Sequence, residues 1–220
     1  MKKAIDVASW FYNKGISAKN TKSDNIKYNK LLSFSQLIYF IKNDEKLFDE
    51  EMYAFKNGLV IKEFMDDYRL ENFSVIEEMK NKKDILFTKS QLEVLNAVYD
   101  MFGALNSEEL SELSHTLRMW KEYYNKSVLN NGEYWMCKSL IDFNVLNDKY
   151  SDDLNKLRDI YDQYNEFKDE EIYEFNGSKF YYDPQEVKIT KEVINKIKKF
   201  KGTIGEYSIG SDNELGVVIY

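Results

Sequence analysis

His115 and Cys137 are the only histidine and the only cysteine in the chain, so any search for chemistry starts with them. An imidazole beside a thiol can lower its pKa and make a nucleophile and base pair. That pair also needs an orienting group and an oxyanion donor, and the sequence offers neither. Cys137 is therefore expected as a small buried hydrophobe, and His115 as a half-buried helix residue near Trp120. One histidine and one cysteine cannot supply a His/Cys metal cluster, and no Cys-x-x-Cys, His-Glu-x-x-His or EF-hand spacing occurs. No metal or cofactor is expected. The acidic pairs Asp66-Asp67 and Asp152-Asp153 suggest carboxylate chemistry. Neighbours on a helix diverge by about 100°, however, so each pair reads as a solvated face or a helix start. Gly202, Gly205 and Gly210 lack the Lys-Ser/Thr and the following helix of a phosphate loop. Lys188, Lys191, Lys196, Lys198, Lys199 and Lys201, with Tyr181 and Tyr182 just before them, could contact nucleic acid. With arginine scarce and the chain acidic, a solvated lysine face is the better reading.

The bulk numbers agree with a protein that works through its surface. The 220 residues suffice for one large or two small domains, and such a chain buries roughly 70% of its unfolded surface. A composition 43% hydrophobic and 15% aromatic excludes a mostly disordered chain. A net charge of -7 argues against a general phosphate-backbone binder and favours a protein partner with a basic surface. The lone cysteine excludes an internal disulfide and points to a reducing cytosol. No apolar run approaches the ~20 residues that cross a bilayer, and Met1-Lys2-Lys3 leads into Asp6 rather than into a signal-peptide core. A cytoplasmic protein without membrane contact is expected. The 17 Tyr and 14 Phe exceed what a core of this size must hide, so some should lie at a contact surface. These features together point to a non-enzymatic binding protein.

The elements that would position such a surface are mainly helical. A single proline, Pro184, and nine glycines favour long helices. Residues 2–14 form an amphipathic stripe that Gly15 stops. A central helix over residues 25–43, with Asp24 as its N-cap, is apolar around most of its circumference. Its polar residues Asn29, Ser33, Gln36 and Asn43 form one seam that reaches water. Gly58 marks a turn, and a helix running from Val60 and Ile61 through Phe64, Met65 and Tyr68 follows it. Further helices are expected over residues 73–80, after the capping box Thr88-Lys89-Ser90-Gln91, and from Ser107 onward with Leu110, Leu113, Leu117 and Trp120 on one face. Lys80-Asn81-Lys82-Lys83 reads as a solvated connector, and Trp135, Met136, Leu140 and Ile141 suggest another short helix. From Ser151 an amphipathic helix leads to a hairpin around Asn176-Gly177-Ser178. A basic helix over residues 190–200, with Val193, Ile194 and Ile197 inward, precedes a second hairpin around Ser211-Asp212-Asn213. The fold class is thus mainly α. A compact helical module, residues 1–145, is followed by a small α+β C-terminal region, residues 146–220.

Several short segments carry a family likeness. Tyr28-Asn29-Lys30-Leu31-Leu32, Lys46-Leu47-Phe48, Met52-Tyr53-Ala54-Phe55 and Gly58-Leu59-Val60-Ile61, then Leu110-Ser111-Glu112-Leu113-Ser114-His115 and Trp120, resemble the Panacea (SocA-like) antitoxin domain over about residues 1–130. The likeness singles out Lys30, Leu31, Leu32, Leu47, Phe48, Ala54, Gly58, His115 and Trp120 as structural or partner-binding positions. It implies a type II antitoxin that neutralises a toxin by direct contact, with some relatives presenting the toxin to a protease. Two stretches depart from the family pattern: Asn57-Gly58-Leu59 lacks both the Tyr and the Pro of its Tyr-Gly-Pro turn, and Met119 replaces the Pro before Trp120. Either change is expected to loosen a turn. A second function stays open: a phage or mobile-element protein, anti-CRISPR-like, that occludes a host defence nuclease. A protein partner serves both readings, and the oligomeric state is undetermined.

Overall fold

The computed structural model describes residues 2–70, 73–212 and 214–220; Asn213, assigned above to the last hairpin turn, and Met1 lie outside the described residues. The chain is mainly helical and divides into two compact units, Met1–Tyr161 and Asp162–Tyr220.

The first unit contains α1 (Ala4–Asn13), α2 (Lys22–Asn43), β1 (Met52–Phe55), β2 (Gly58–Ile61), α3 (Lys62–Leu70), α4 (Phe73–Asn81), α5 (Lys89–Phe102), α6 (Ser107–His115), α7 (Arg118–Ser127), α8 (Leu146–Lys149) and the start of α9 (Ser151–Phe167). The helix starts follow from side chains that satisfy free backbone amides. Thr21, three residues earlier than expected, caps α2: its hydroxyl accepts from the Asp24 amide, and Asp24 fills the third helical position of a capping box. Thr88 and Gln91 close the same kind of box on α5, and Asn106 with Glu109 on α6.

Every residue of α2 from Tyr28 to Phe40 is buried, with α1, α3, β2, α5 and α6 packed against it. The expected water-facing seam is therefore wrong at Asn29, Ser33 and Gln36, each at most 1% exposed. A polar side chain inside a core needs a partner, and most of these find one in the backbone of the segment that follows. Gln36 accepts from the Leu47 and Phe48 amides, at 2.8 and 3.2 Å, and donates to the Phe48 carbonyl at 3.0 Å. Asn29 accepts from the Ile61 amide at 2.9 Å.

Four more sequence expectations need correction. Val60 and Ile61 belong to β2, which pairs antiparallel with β1, so the following helix begins only at Lys62. A four-residue buried run has no distinguishing period, and its pairing decides it. The face from Leu110 to Trp120 is cut at Thr116, and α7 starts afresh at Arg118. Residues 136–138 make only a single 3-10 turn, which leaves Cys137 exposed rather than buried. Lys82 is no solvated connector: it pairs with Asp6 at 3.0 Å and with Glu78 at 2.9 Å, tying α1 to α4.

The second unit holds β3 (Glu171–Phe175), β4 (Ser178–Tyr182), α10 (Lys191–Lys199), β5 (Glu206–Asp212) and β6 (Gly216–Ile219) in a sheet of order β3-β4-β5-β6. Both outer pairs are antiparallel, and the central β4-β5 pair, joined through α10, is parallel. Asn176 and Gly177 form the two-residue β3-β4 turn with φ of 49° and 81°, both in the left-handed region that such a turn requires. Phe180, Tyr182, Val187, Val193, Ile197 and Ile209 form its core.

Candidate functional site

The nine positions singled out by sequence fall into three groups. Leu31, Leu32, Leu47 and Phe48 are fully buried core residues. Ala54 sits in β1, also fully buried, and its carbonyl accepts from the Tyr134 hydroxyl at 2.8 Å. Lys30, Gly58, His115 and Trp120 come together around the turn of the β1-β2 hairpin.

That turn is clamped from several directions. From α2, the Lys30 Nζ donates to the Leu59 carbonyl at 2.7 Å. From α6, the Ser114 hydroxyl accepts from the Leu59 amide at 2.9 Å. From α7, the Trp120 Nε1 donates to the Phe55 carbonyl at 2.8 Å. Gly58 has φ +100°, and a Cβ there would lie 2.6 Å from the Ser114 Oγ and 2.9 Å from the Lys30 Cε. Backbone conformation and space both demand glycine at this point.

Electrostatics follow from the same burial. Lys30 has no exposed surface, and desolvation of its ammonium pulls its pKa from 10.5 down to about 7. His115 stacks on Trp120 with ring centroids 3.9 Å apart and planes at 25°. Burial, then the nearby Lys30 charge, lower the imidazole pKa against a backbone hydrogen bond with Lys56 that raises it. The stacking continues through Trp120 on Tyr124, and Tyr134 edges onto Phe55. Lys30, Ser114 and Trp120 are thus occupied in holding the hairpin, while the His115 Nε2 is buried without a hydrogen-bond partner among the described residues.

Residues 29–121 match the family described as Antitoxin SocA-like, Panacea domain. The remainder of the chain lies outside the match. No curated protein and no solved structure matches the chain. All nine singled-out positions lie inside the Panacea match, which is narrower than the stretch of likeness read from sequence.

Where the Panacea pattern has proline, this chain uses the amide that proline would lack. Leu59 donates to Ser114, and Met119 donates to the Asp153 carboxylate at 2.6 Å, beside the Arg118 amide at 2.9 Å. Both turns are tied by hydrogen bonds where a proline would leave no amide to donate. Asp152 and Asp153 stand in the first turn of α9, as the helix-start reading expects, but the Asp153 side chain is fully buried and caps α7 instead of facing water.

Sequence reading missed Ser114 and Asn29 as hairpin clamps and Gln36 as the anchor of the Leu47-Phe48 segment. A hint was present: a polar side chain on an otherwise apolar central helix signals a distant backbone partner. It also missed a cavity of about 700 Å3 that opens beside Lys30, between the start of α2, the hairpin turn and α3. Its lining is scattered over some 50 positions of the chain (Asn20 to Arg69), so no local spacing reveals it. Among the described residues no helix is long and apolar enough to cross a membrane.

Proposed function

We propose that this chain is an antitoxin that neutralises a partner toxin by direct contact in the cytoplasm, with no catalysis of its own. The family match over residues 29–121 is the observation that carries this reading. The clamped hairpin supports it, because Lys30, Ser114 and Trp120 are spent on backbone partners there and build a rigid scaffold. The acidic balance of the chain, -7, suits a toxin with a basic surface.

The contact surface in this reading includes residues 128–138. Val128, Tyr134, Trp135 and Met136 are 38%, 38%, 49% and 40% exposed within one short segment, and the Lys138 ammonium lies 4.6 Å from the centre of the Trp135 ring system. Large, entropy-poor side chains of these types dominate protein interfaces. Residues 162–220 then contribute the choice of toxin, and presentation to a protease is a further step of the same reading.

Co-expression with the toxic reading frame encoded beside it provides the test. Growth should be rescued and a complex of the two chains should co-purify, with Trp135→Ala weakening the complex about tenfold or more. Rescue without any complex would rule out neutralisation by contact. Deleting residues 169–220, which spares α9 and the Asp153 cap, tests the role of the second unit. Unchanged affinity for the toxin would reject it.

A further inference from the structure

The cavity beside the hairpin is cationic in a chain that is not. Carboxylates outnumber lysine and arginine 38 to 31 overall. Yet the cavity is lined by Lys22, Lys30, Lys56 and Arg69, with no carboxylate among the described residues that line it. None of these four takes part in an ion pair with a described residue, whereas Lys42, Lys62, Lys82 and Lys149 are all paired. Unpaired cations converging on a concavity create a local positive field that only an outside anion can offset.

The remaining walls add a second requirement. Ile26, Phe55 and Met65 are half-buried and line the same space. The floor is closed by Lys30, whose ammonium is held from below by the Leu59 carbonyl. Lys22, Lys56 and Arg69 are exposed and free to reach a ligand from the mouth. A volume of about 700 Å3 lies within the usual range for sites that take small molecules. Three cations at the mouth suit a multiply charged group, and the apolar wall suits a flat ring.

We propose that this cavity is a binding site for a small polyanion with a flat, apolar body, of the chemical class of a nucleoside phosphate. The phosphates lie at the mouth against Lys22, Lys56 and Arg69, and the base lies against Ile26, Phe55 and Met65. The site adjoins the exposed segment proposed to meet the toxin where Tyr134 packs on Phe55, but its argument rests on the cavity alone and not on that reading.

Titration calorimetry of the full chain with ATP and with inorganic pyrophosphate tests the proposal. ATP should bind saturably and more tightly than pyrophosphate, which has the charge without the ring, and its affinity should fall as salt is added. The double charge reversal Lys56→Glu with Arg69→Glu alters only exposed side chains and should weaken ATP binding by about tenfold or more, with the circular dichroism unchanged. Met65→Trp, which narrows the apolar wall, should weaken ATP more than pyrophosphate. The proposal is overturned if ATP gives no binding at millimolar concentration, if the charge reversal leaves its affinity unchanged, or if pyrophosphate binds as tightly as ATP. It is also overturned if an acidic peptide binds in the cavity and ATP does not.

Discussion

The two units build their interiors from different materials. In the first, Asn29, Lys30, Ser33, Ser35, Gln36, Ser114 and Asp153 are buried among the apolar side chains; in the second, Ser178 is the only buried polar residue among those described. The second unit is a sheet and one helix closed over six buried residues, and its side-chain to backbone ties, such as Lys196 to Val217 and Glu186 to Ser211, lie at the edge of that core rather than inside it. The first places a hairpin against a central helix through hydrogen bonds of fixed length and direction. Apolar contact tolerates sliding, whereas a buried amide left without its partner costs about 1–3 kcal/mol. The contrast shows which part of the chain must hold one geometry and which need only hold together.

The largest expected effect falls where the first unit is tightest. Gly58→Ala forces a side chain into a left-handed backbone and against Ser114. It should lower stability by about 4 kcal/mol in urea unfolding. Hydrogen exchange should then show lost protection in α2, β1 and β2 but not in β3 to β6. The counterpart in the second unit is Ile197→Ala, which empties part of an apolar core and should cost about 3 kcal/mol, with exchange changes confined to residues 162–220. Equal loss of protection across the whole chain for either variant would break the comparison.

A smaller effect probes the buried charge itself. The unfolded chain keeps Lys30 protonated up to its ordinary 10.5, whereas the folded chain releases that proton near 7. Between those values the unfolded state holds the extra proton, so the contribution of Lys30 to stability rises with pH. Measured against Lys30→Met, the difference should grow by about 1.5 kcal/mol in favour of the native chain between about pH 7 and 8.5. A flat difference over that window would mean that Lys30 is not desolvated in the folded protein.

Local chemistry was readable, and distant pairing was not. The Thr88 box, the Asn176-Gly177 turn and the apolar stripes of α5, α9 and α10 all follow from neighbours a few positions apart, which a linear reading captures. The hairpin of β1 and β2 escaped because Gly58-Leu59-Val60-Ile61 is buried on both sides and carries no alternation. Gln36 and Asn29 were visible as polar, but their partners at Phe48 and Ile61 lie 12 and 32 residues away. Cys137 was assigned by the habits of its residue type, which a single exposed 3-10 turn overrides. At the candidate site, Lys30, Gly58, His115 and Trp120 were reachable through family likeness; the cavity cations Lys22, Lys56 and Arg69 had no signal at all.

The exchange of ring for amide at Leu59 and Met119 also reaches into kinetics. With Pro184 the sole proline, residues 1–161 contain no bond of the X-Pro type. Slow cis-trans interconversion, which takes tens of seconds at such bonds, has no place there. After dilution from denaturant the helical unit should regain its structure without a lagging fraction, leaving the Asp183-Pro184 bond of the second unit as the one place where such a delay can arise.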